Sequence, residues 1–219
     1  MPEGNDVPTK QQPTDKNSGC DSSTSQGSFT DNNKLCPEDK SVHDWYRFVL
    51  SFPAHLVRDY IERFNLDQGD TVLDPFCGTG TTLVECQKRG IMSCGIERNP
   101  MAHFASSVKV KWNINPDGLL AHALKVGKIA ASKLMQEGLH SIALPLFYAR
   151  GYDANLKLRT LPADMLKLLL RNSISPLPLH RTLVLLDTLN ENRDERFDAH
   201  ERLALAKALV FGIGNLCFG

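Results

Sequence analysis

The chain has 219 residues, enough for one domain with a good core or for a core plus an added subdomain. Lys+Arg and Asp+Glu both number 25, so no overall charge marks the chain for nucleic acid, and any such surface must be local. The 6 cysteines form no C-x-x-C pair and no histidine cluster stands at zinc spacing, no apolar run reaches membrane length, and the N-terminus carries no signal-peptide core. These features argue against a disulfide scaffold, a zinc module and a membrane span, and set the expectation of reduced thiols in a cytoplasmic protein.

Residues 1 to 40 are rich in Ser, Thr, Asn, Asp, Gln, Gly and Pro, and hold few large apolar side chains before Leu35. Such a segment cannot offset its ordering entropy by burial, so a disordered polar tail is expected. Order should begin near Val42, where Trp45, Tyr46, Phe48, Val49 and Leu50 crowd together; core packing is the preferred role for Trp45 and Tyr46, contact with a ligand pocket the alternative. Phe52-Pro53 breaks this run. His55 to Phe64 reads as a helix, with Leu56, Val57, Tyr60, Ile61 and Phe64 at helical spacing. Asp67-Gln68-Gly69-Asp70 reads as a turn.

Thr71 to Asp74 then reads as an apolar strand stopping on an acid. Pro75, Phe76, Cys77, Gly78, Thr79 and Gly80 make a glycine-bearing turn, and a helix runs from Thr82 to Arg89 with Gly90 as its terminator. Strand, glycine loop and helix N-terminus together can hold a nucleotide-like ligand. No Lys-Ser or Lys-Thr follows the second glycine and no third glycine is present, so neither a P-loop nor the dinucleotide fingerprint is satisfied. A second apolar run, Ile91 to Ile96, ends in Glu97, about 20 residues past the loop, the spacing at which an acid reaches a ribose hydroxyl. Taken singly, Asp74 and Glu97 read equally well as solvated or capping acids that end a strand; taken as a pair they suit a ligand with a cationic end, a ribose and no phosphate, which is S-adenosylmethionine. Cys77 has no base beside it and reads as a packing residue, as do Cys86 and Cys94.

Leu73-Asp74-Pro75-Phe76-Cys77-Gly78-Thr79-Gly80-Thr81-Thr82 resembles the cofactor motif of the DNA methyltransferases that methylate the exocyclic amino group of adenine or cytosine. Phe52-Pro53-Ala54-x-Leu56-Val57 resembles the segment those enzymes place before it, and Gly95-Ile96-Glu97-Arg98-Asn99-Pro100 resembles their second motif. The resemblance covers roughly Asp44 to His103. It implies an α/β fold, a partial class I (Rossmann-like) methyltransferase sheet with a mostly helical insert. It also implies S-adenosylmethionine bound by Phe52, Pro53, Asp74, Pro75, Phe76, Cys77, Gly78, Thr79, Gly80, Thr81, Thr82, Glu97 and Arg98. The implied division is a tail (1–40), a cofactor-binding part (41–112) and a helical region (113–219).

Beyond Pro100 a helix carries Met101, Ala102, Phe104, Ala105 and Val108; Asn113 to Gly118 reads as a turn. Leu119 to Met135 reads as helix, Leu139 to Tyr148 is ambiguous, and Leu161 to Arg171 reads as helix with Leu161, Met165, Leu168 and Leu169 on one face. Ser173 to Leu179, with two prolines, reads as a loop. Arg181 to Asn190 suits a strand or a helix; helix is favoured because leucines dominate. A last helix is expected from Glu195 to Ile213. Lys109, Lys111, Lys125, Lys128, Arg150, Lys157, Arg159, Lys167, Arg171 and Arg181 are candidate phosphate contacts, or ordinary solvated charges.

Enzymes of the resembled family also carry an Asp/Asn/Ser-Pro-Pro-aromatic segment that accepts the target amino group and stacks on a flipped base. This sequence contains no Pro-Pro. Asn99-Pro100, Asn115-Pro116 and Asp187 are the nearest approaches, and none has the second proline and ring. The expectation is therefore a cofactor-binding fragment with no catalytic residues of its own and no metal. DNA is the expected partner of the full-length enzyme, and a downstream segment or second chain would supply the missing motif. An RNA methyltransferase acting on guanine N2, or a non-catalytic interaction protein on the same fold, are the alternatives.

Overall fold

A computed structural model of the chain describes residues 37–47, 51–139, 157–169 and 172–215. Residues 1–36 of the expected tail, the 140–148 stretch, Phe48 to Leu50, Arg150 and Arg171 lie outside the described residues; the tail's expected last residues, 37–40, instead form a 3-10 turn (Pro37–Asp39) and the start of α1 (Lys40–His43), with Asp39 buried against Arg58. The architecture is mixed α/β and mostly helical: a two-stranded parallel sheet and eight α-helices among the described residues.

The sheet pairs β1 (Thr71–Asp74) with β2 (Met92–Gly95) in the register Thr71↔Met92, Val72↔Ser93, Leu73↔Cys94, Asp74↔Gly95. A parallel pair needs a crossover, and α3 (Thr81–Lys88) supplies it. α3 ends in a Schellman motif: Gly90 N–H donates to Gln87 O, and Ile91 N–H to Cys86 O. α2 (Ala54–Arg63) closes the same way around Asn65, which takes a positive φ, with Leu66 N–H donating to Ile61 O. These two closures set Val57, Ile61, Cys86 and Ile91 into one buried cluster flanked by Leu66 and Val72. The other face of the sheet is open: Leu73, Met92 and Cys94 are exposed on it, and Ile96 just beyond is exposed too. Cys94 is thus a surface thiol, not the core residue expected, because the period of a strand puts it on the face opposite α3.

A second cluster joins segments far apart in sequence. Tyr46 packs with Ala105 and Val108 of α4 (Pro100–Lys109) and Leu203 of α8 (Asp198–Ala208), and Trp45 leans against it. Trp45 meets His200 edge-on, so both aromatics take the packing role. Asn99 and Asn115 are N-caps, their side-chain oxygens accepting from Met101 N–H and Gly118 N–H, and Pro100 and Pro116 begin the helices behind them. α5 (Pro116–Gln136) therefore starts inside the expected 113–118 turn.

α7 (Pro176–Glu191) resolves the strand-or-helix choice as helix, and it corrects the expected 173–179 loop. Both prolines fall in its first turn, where their missing N–H groups would have no helical partner. Of the helix expected over 161–171, only α6 (Ala163–Leu166) forms among the described residues. Met165 and Leu168 stay exposed, and without a buried face a short helix does not propagate. The last helix starts at Asp198 and passes into a π-helical turn at Leu209–Ile213.

Candidate functional site

The site is built at the C-terminal ends of β1 and β2. Backbone bonds sew the loop after β1 to the end of β2: Ile96 N–H donates to Asp74 O at 2.9 Å and Cys77 N–H to Ile96 O at 3.1 Å. Asp74 Oδ1 accepts from Phe76 N–H at 3.0 Å, turning the chain out of the strand. Gly80 N–H closes the loop onto Cys77 O at 2.8 Å. Glu97 clamps it from the neighbouring strand end, Oε2 accepting from Gly78 N–H at 2.9 Å and Oε1 from Asn99 N–H at 2.6 Å.

Two glycines make this approach possible. Gly80 has φ 85°, and a Cβ there would lie 2.9 Å from Ser106 Cβ and 3.1 Å from its Cα, so the loop rests directly on α4. Gly95, inside β2, is the closer fit: a Cβ would lie 2.7 Å from Cys77 Sγ and 2.9 Å from Leu83 Cδ1. Glycine within a strand marks such an approach of another segment, a signal legible in the sequence but not used there. Cys77 is buried in this contact and burial raises its thiol pKa, with Asp74 adding to the effect; it packs and is not a nucleophile. Gly78 differs. It also has positive φ, but a Cβ on it would meet nothing within 4 Å, so this part of the loop faces open space.

Phe52 and Pro53, almost thirty residues upstream, are brought to the same place. With Ala54 they line a narrow crevice together with His43, Arg47, Ser51, Thr79, Thr81 and Lys109. Phe76 is 85% exposed, and Arg98 is exposed as well. Of the residues expected at the site, Asp74 to Thr82 and Glu97 therefore form one connected unit, Phe52-Pro53 flank it, and Phe76 and Arg98 stand at its surface.

Lys109 overturns its expected role as a surface phosphate contact. It is 1% exposed, and burial, with Arg47 nearby, pulls its pKa down from 10.5 to about 7. Arg159 is likewise committed, bonding Asp187 at 2.6 Å and Glu137. Behind the crevice lies a buried charge network: Glu85, 1% exposed, accepts from His43 at 2.7 Å, Lys88 at 2.6 Å and Arg58 at 3.2 Å, while Arg58 also grips Asp39 at 2.7 and 3.0 Å. Burial alone would raise the Glu85 pKa; the bonds from His43 and Lys88 outweigh it and bring it down to about 2. Asp39, His43 and Glu85 have ligand atoms close enough to hold a metal, but two side-chain cations already neutralise those carboxylates.

The site is thus a parallel β-α-β unit with an acid at each strand end and a glycine loop between them. Residues 6–106 match the model of a DNA methylase family, that of the N6/N4 methyltransferases. A type II methyltransferase of Geobacillus stearothermophilus (M.BsoBI) is 43% identical over 72 residues, 33% of this chain and 14% of that protein. One from Methanocaldococcus jannaschii (M.MjaII) is 40% identical over 73 residues, 33% of this chain and 13% of that protein. M.AvaI of Nostoc is 34% identical over 62 residues, 28% and 13% respectively. Over this part the chain is similar to the amino-methylating DNA methyltransferases, and the similarity spans about a seventh of the relatives' length. No solved structure matches.

Proposed function

We propose that this chain is the cofactor-binding part of an S-adenosylmethionine-dependent DNA methyltransferase that modifies an exocyclic amino group. The observation that carries the reading is the loop of Asp74 to Thr82, clamped by Glu97 at the neighbouring strand end and flanked by Phe52-Pro53 across the crevice. Open space at Gly78 leaves room for a ligand against the backbone. The two oxygens of Glu97 each accept one backbone N–H and keep lone pairs for a ribose hydroxyl. When bound, the cofactor supplies the activated methyl; the chain's part is to hold it in place at the sheet edge.

In this reading the two strands belong to a larger class I (Rossmann-like) sheet, with a tail that ends before the Pro37–Asp39 turn, a cofactor part reaching to 112 and 113–219 a helical region. The exposed face of Leu73, Met92, Cys94 and Ile96 suits further elements packing on it. The target-amino pocket would come from another segment or a second chain in the cytoplasm. Asn99 and Asn115 are spent as helix caps and Asp187 on Arg159. A second reading, a non-catalytic protein on the same fold, draws its support from the sequence's lack of Pro-Pro.

The test is calorimetric titration with S-adenosylhomocysteine. A carboxylate–hydroxyl bond contributes roughly 1.5–3 kcal/mol, so Glu97→Ala should weaken binding by about tenfold to a hundredfold. Unchanged affinity in that variant would reject the site.

A further inference from the structure

Residues 157–162 form no helix or strand, and Arg159 ties them down. Its guanidinium bonds Asp187 of α7 at 2.6 Å and Glu137, the C-cap of α5. Its backbone N–H donates to Nδ1 of His180 on α7 at 3.0 Å. His180 is 1% exposed, so solvent does not compete for that bond. An imidazole nitrogen accepts a hydrogen bond only while it carries no proton. Nδ1 is therefore bare, and the ring's one N–H sits on Nε2. That side faces Glu137: Oε2 lies 3.1 Å from Nε2 but off the line of a hydrogen bond, and neither atom has another hydrogen-bond partner among the described residues. The ring thus stands between a bond that requires it neutral and a carboxylate that would hold it better charged.

We propose that His180 is a proton switch for the 157–162 strap: the neutral ring holds the strap across α5 and α7, and the imidazolium turns to Glu137 and releases it. The proton comes from solvent and goes to Nδ1, where it turns an acceptor into a donor facing the Arg159 N–H. Two donors cannot share that contact, so the strap gives way. The imidazolium also competes with the Arg159 guanidinium for Glu137, which weakens a second anchor. The charged groups facing the ring are Glu137 at the end of α5, Arg159 on the strap and Arg181 on α7, with Asp187 beyond Arg159. Burial lowers the His180 pKa from its ordinary 6.5; Arg159 and Arg181 add to this, and Glu137 opposes it. A folded pKa below the ordinary value means that closure is complete above about pH 6.5 and is lost as pH falls below it. None of the loop residues Asp74 to Thr82 takes part, so the switch stands whether or not they hold a cofactor.

The experiment follows amide hydrogen exchange by NMR on the 219-residue chain from pH 8 to pH 5, with rates corrected for the intrinsic pH dependence of exchange. Protection of the Arg159 amide should hold above pH 6.5 and fall by up to about tenfold per pH unit below it. The amides of Val126 and Ala130 in α5 and of Val184 in α7 should stay protected. Ring nitrogen shifts should show His180 at pH 8 as the Nε2–H tautomer. His180→Asn keeps an acceptor near the Nδ1 position but takes up no proton, so its Arg159 protection should no longer change with pH. Glu137→Gln should move the loss to lower pH, a displacement that removal of a merely structural contact would not produce. Flat Arg159 protection in the wild type, a loss shared equally by α5 and α7, an Nδ1–H tautomer, or an unmoved midpoint in Glu137→Gln would each overturn the switch. If His180→Asn does not fold, the wild-type profile and tautomer decide the matter.

Discussion

Replacing Glu85 by glutamine tests whether the buried charge network holds the 37–43 segment against α3. The side chain is 1% exposed and meets His43, Arg58 and Lys88 within 3.2 Å. A carboxyl held at about 2, against an ordinary 4.5, contributes roughly 3 kcal/mol at pH 7. Glutamine keeps the shape and one acceptor but removes the charge, leaving Lys88 with Asp39 at 3.7 Å as its remaining carboxylate. Because the folded pKa is depressed, this contribution is complete above about pH 4.5 and disappears as pH falls through about 2. Urea unfolding should therefore show Glu85→Gln less stable by about 2–4 kcal/mol at pH 7, with the gap to wild type narrowing as pH falls from 4.5 to 2. Hydrogen exchange should quicken first in residues 40–43, whose His43 contact is weakened. A variant within about 0.5 kcal/mol of wild type at pH 7, the spread of ordinary surface substitutions, would refute the reasoning.

Lys109→Met should make the ligand-free protein more stable, by roughly 2–5 kcal/mol below pH 7. Its lowered pKa of about 7 means that the cost of burying the charge is full below 7 and relieved toward 10.5, so the gain should fade over that window in thermal unfolding curves. Gly80→Val should lose both cofactor binding and stability, since its Cβ has Ser106 Cβ at 2.9 Å. Gly78→Ala, facing open space at positive φ, should cost about 1–2 kcal/mol of backbone strain and weaken S-adenosylhomocysteine further; equal behaviour of the two variants in calorimetry and circular dichroism would contradict the loop geometry. The purified 219-residue chain should incorporate no labelled methyl into duplex DNA even when it binds the cofactor, because transfer needs a pocket that positions the amino group; incorporation lost in Gly80→Val would show that the chain carries its own catalytic residues.

Local chemistry accounts for what the sequence determined by itself. Apolar runs stopping at Asp74 and Glu97, glycines in the loop and at Gly90, and helical spacing in 55–64 and 101–108 each act within a few residues, and each element forms within a residue or two of where these signals put it. Prolines misled twice, because a proline reads alike in a loop and in a first helical turn; Ser175, Pro176 and Pro178 open α7 rather than end a loop. Tertiary structure alone decided the fate of the charges. Glu85 and Lys109 look like polar-face residues of α3 and α4, yet both are 1% exposed, because segments 37–47 and 51–54 fold back across them. One is matched by cations contributed from α1, α2 and α3, and the other is left among cations beside the loop. Periodicity reports how a residue sits on its own helix, whereas burial of a charge depends on which distant segment covers it, and that pairing exists only in three dimensions.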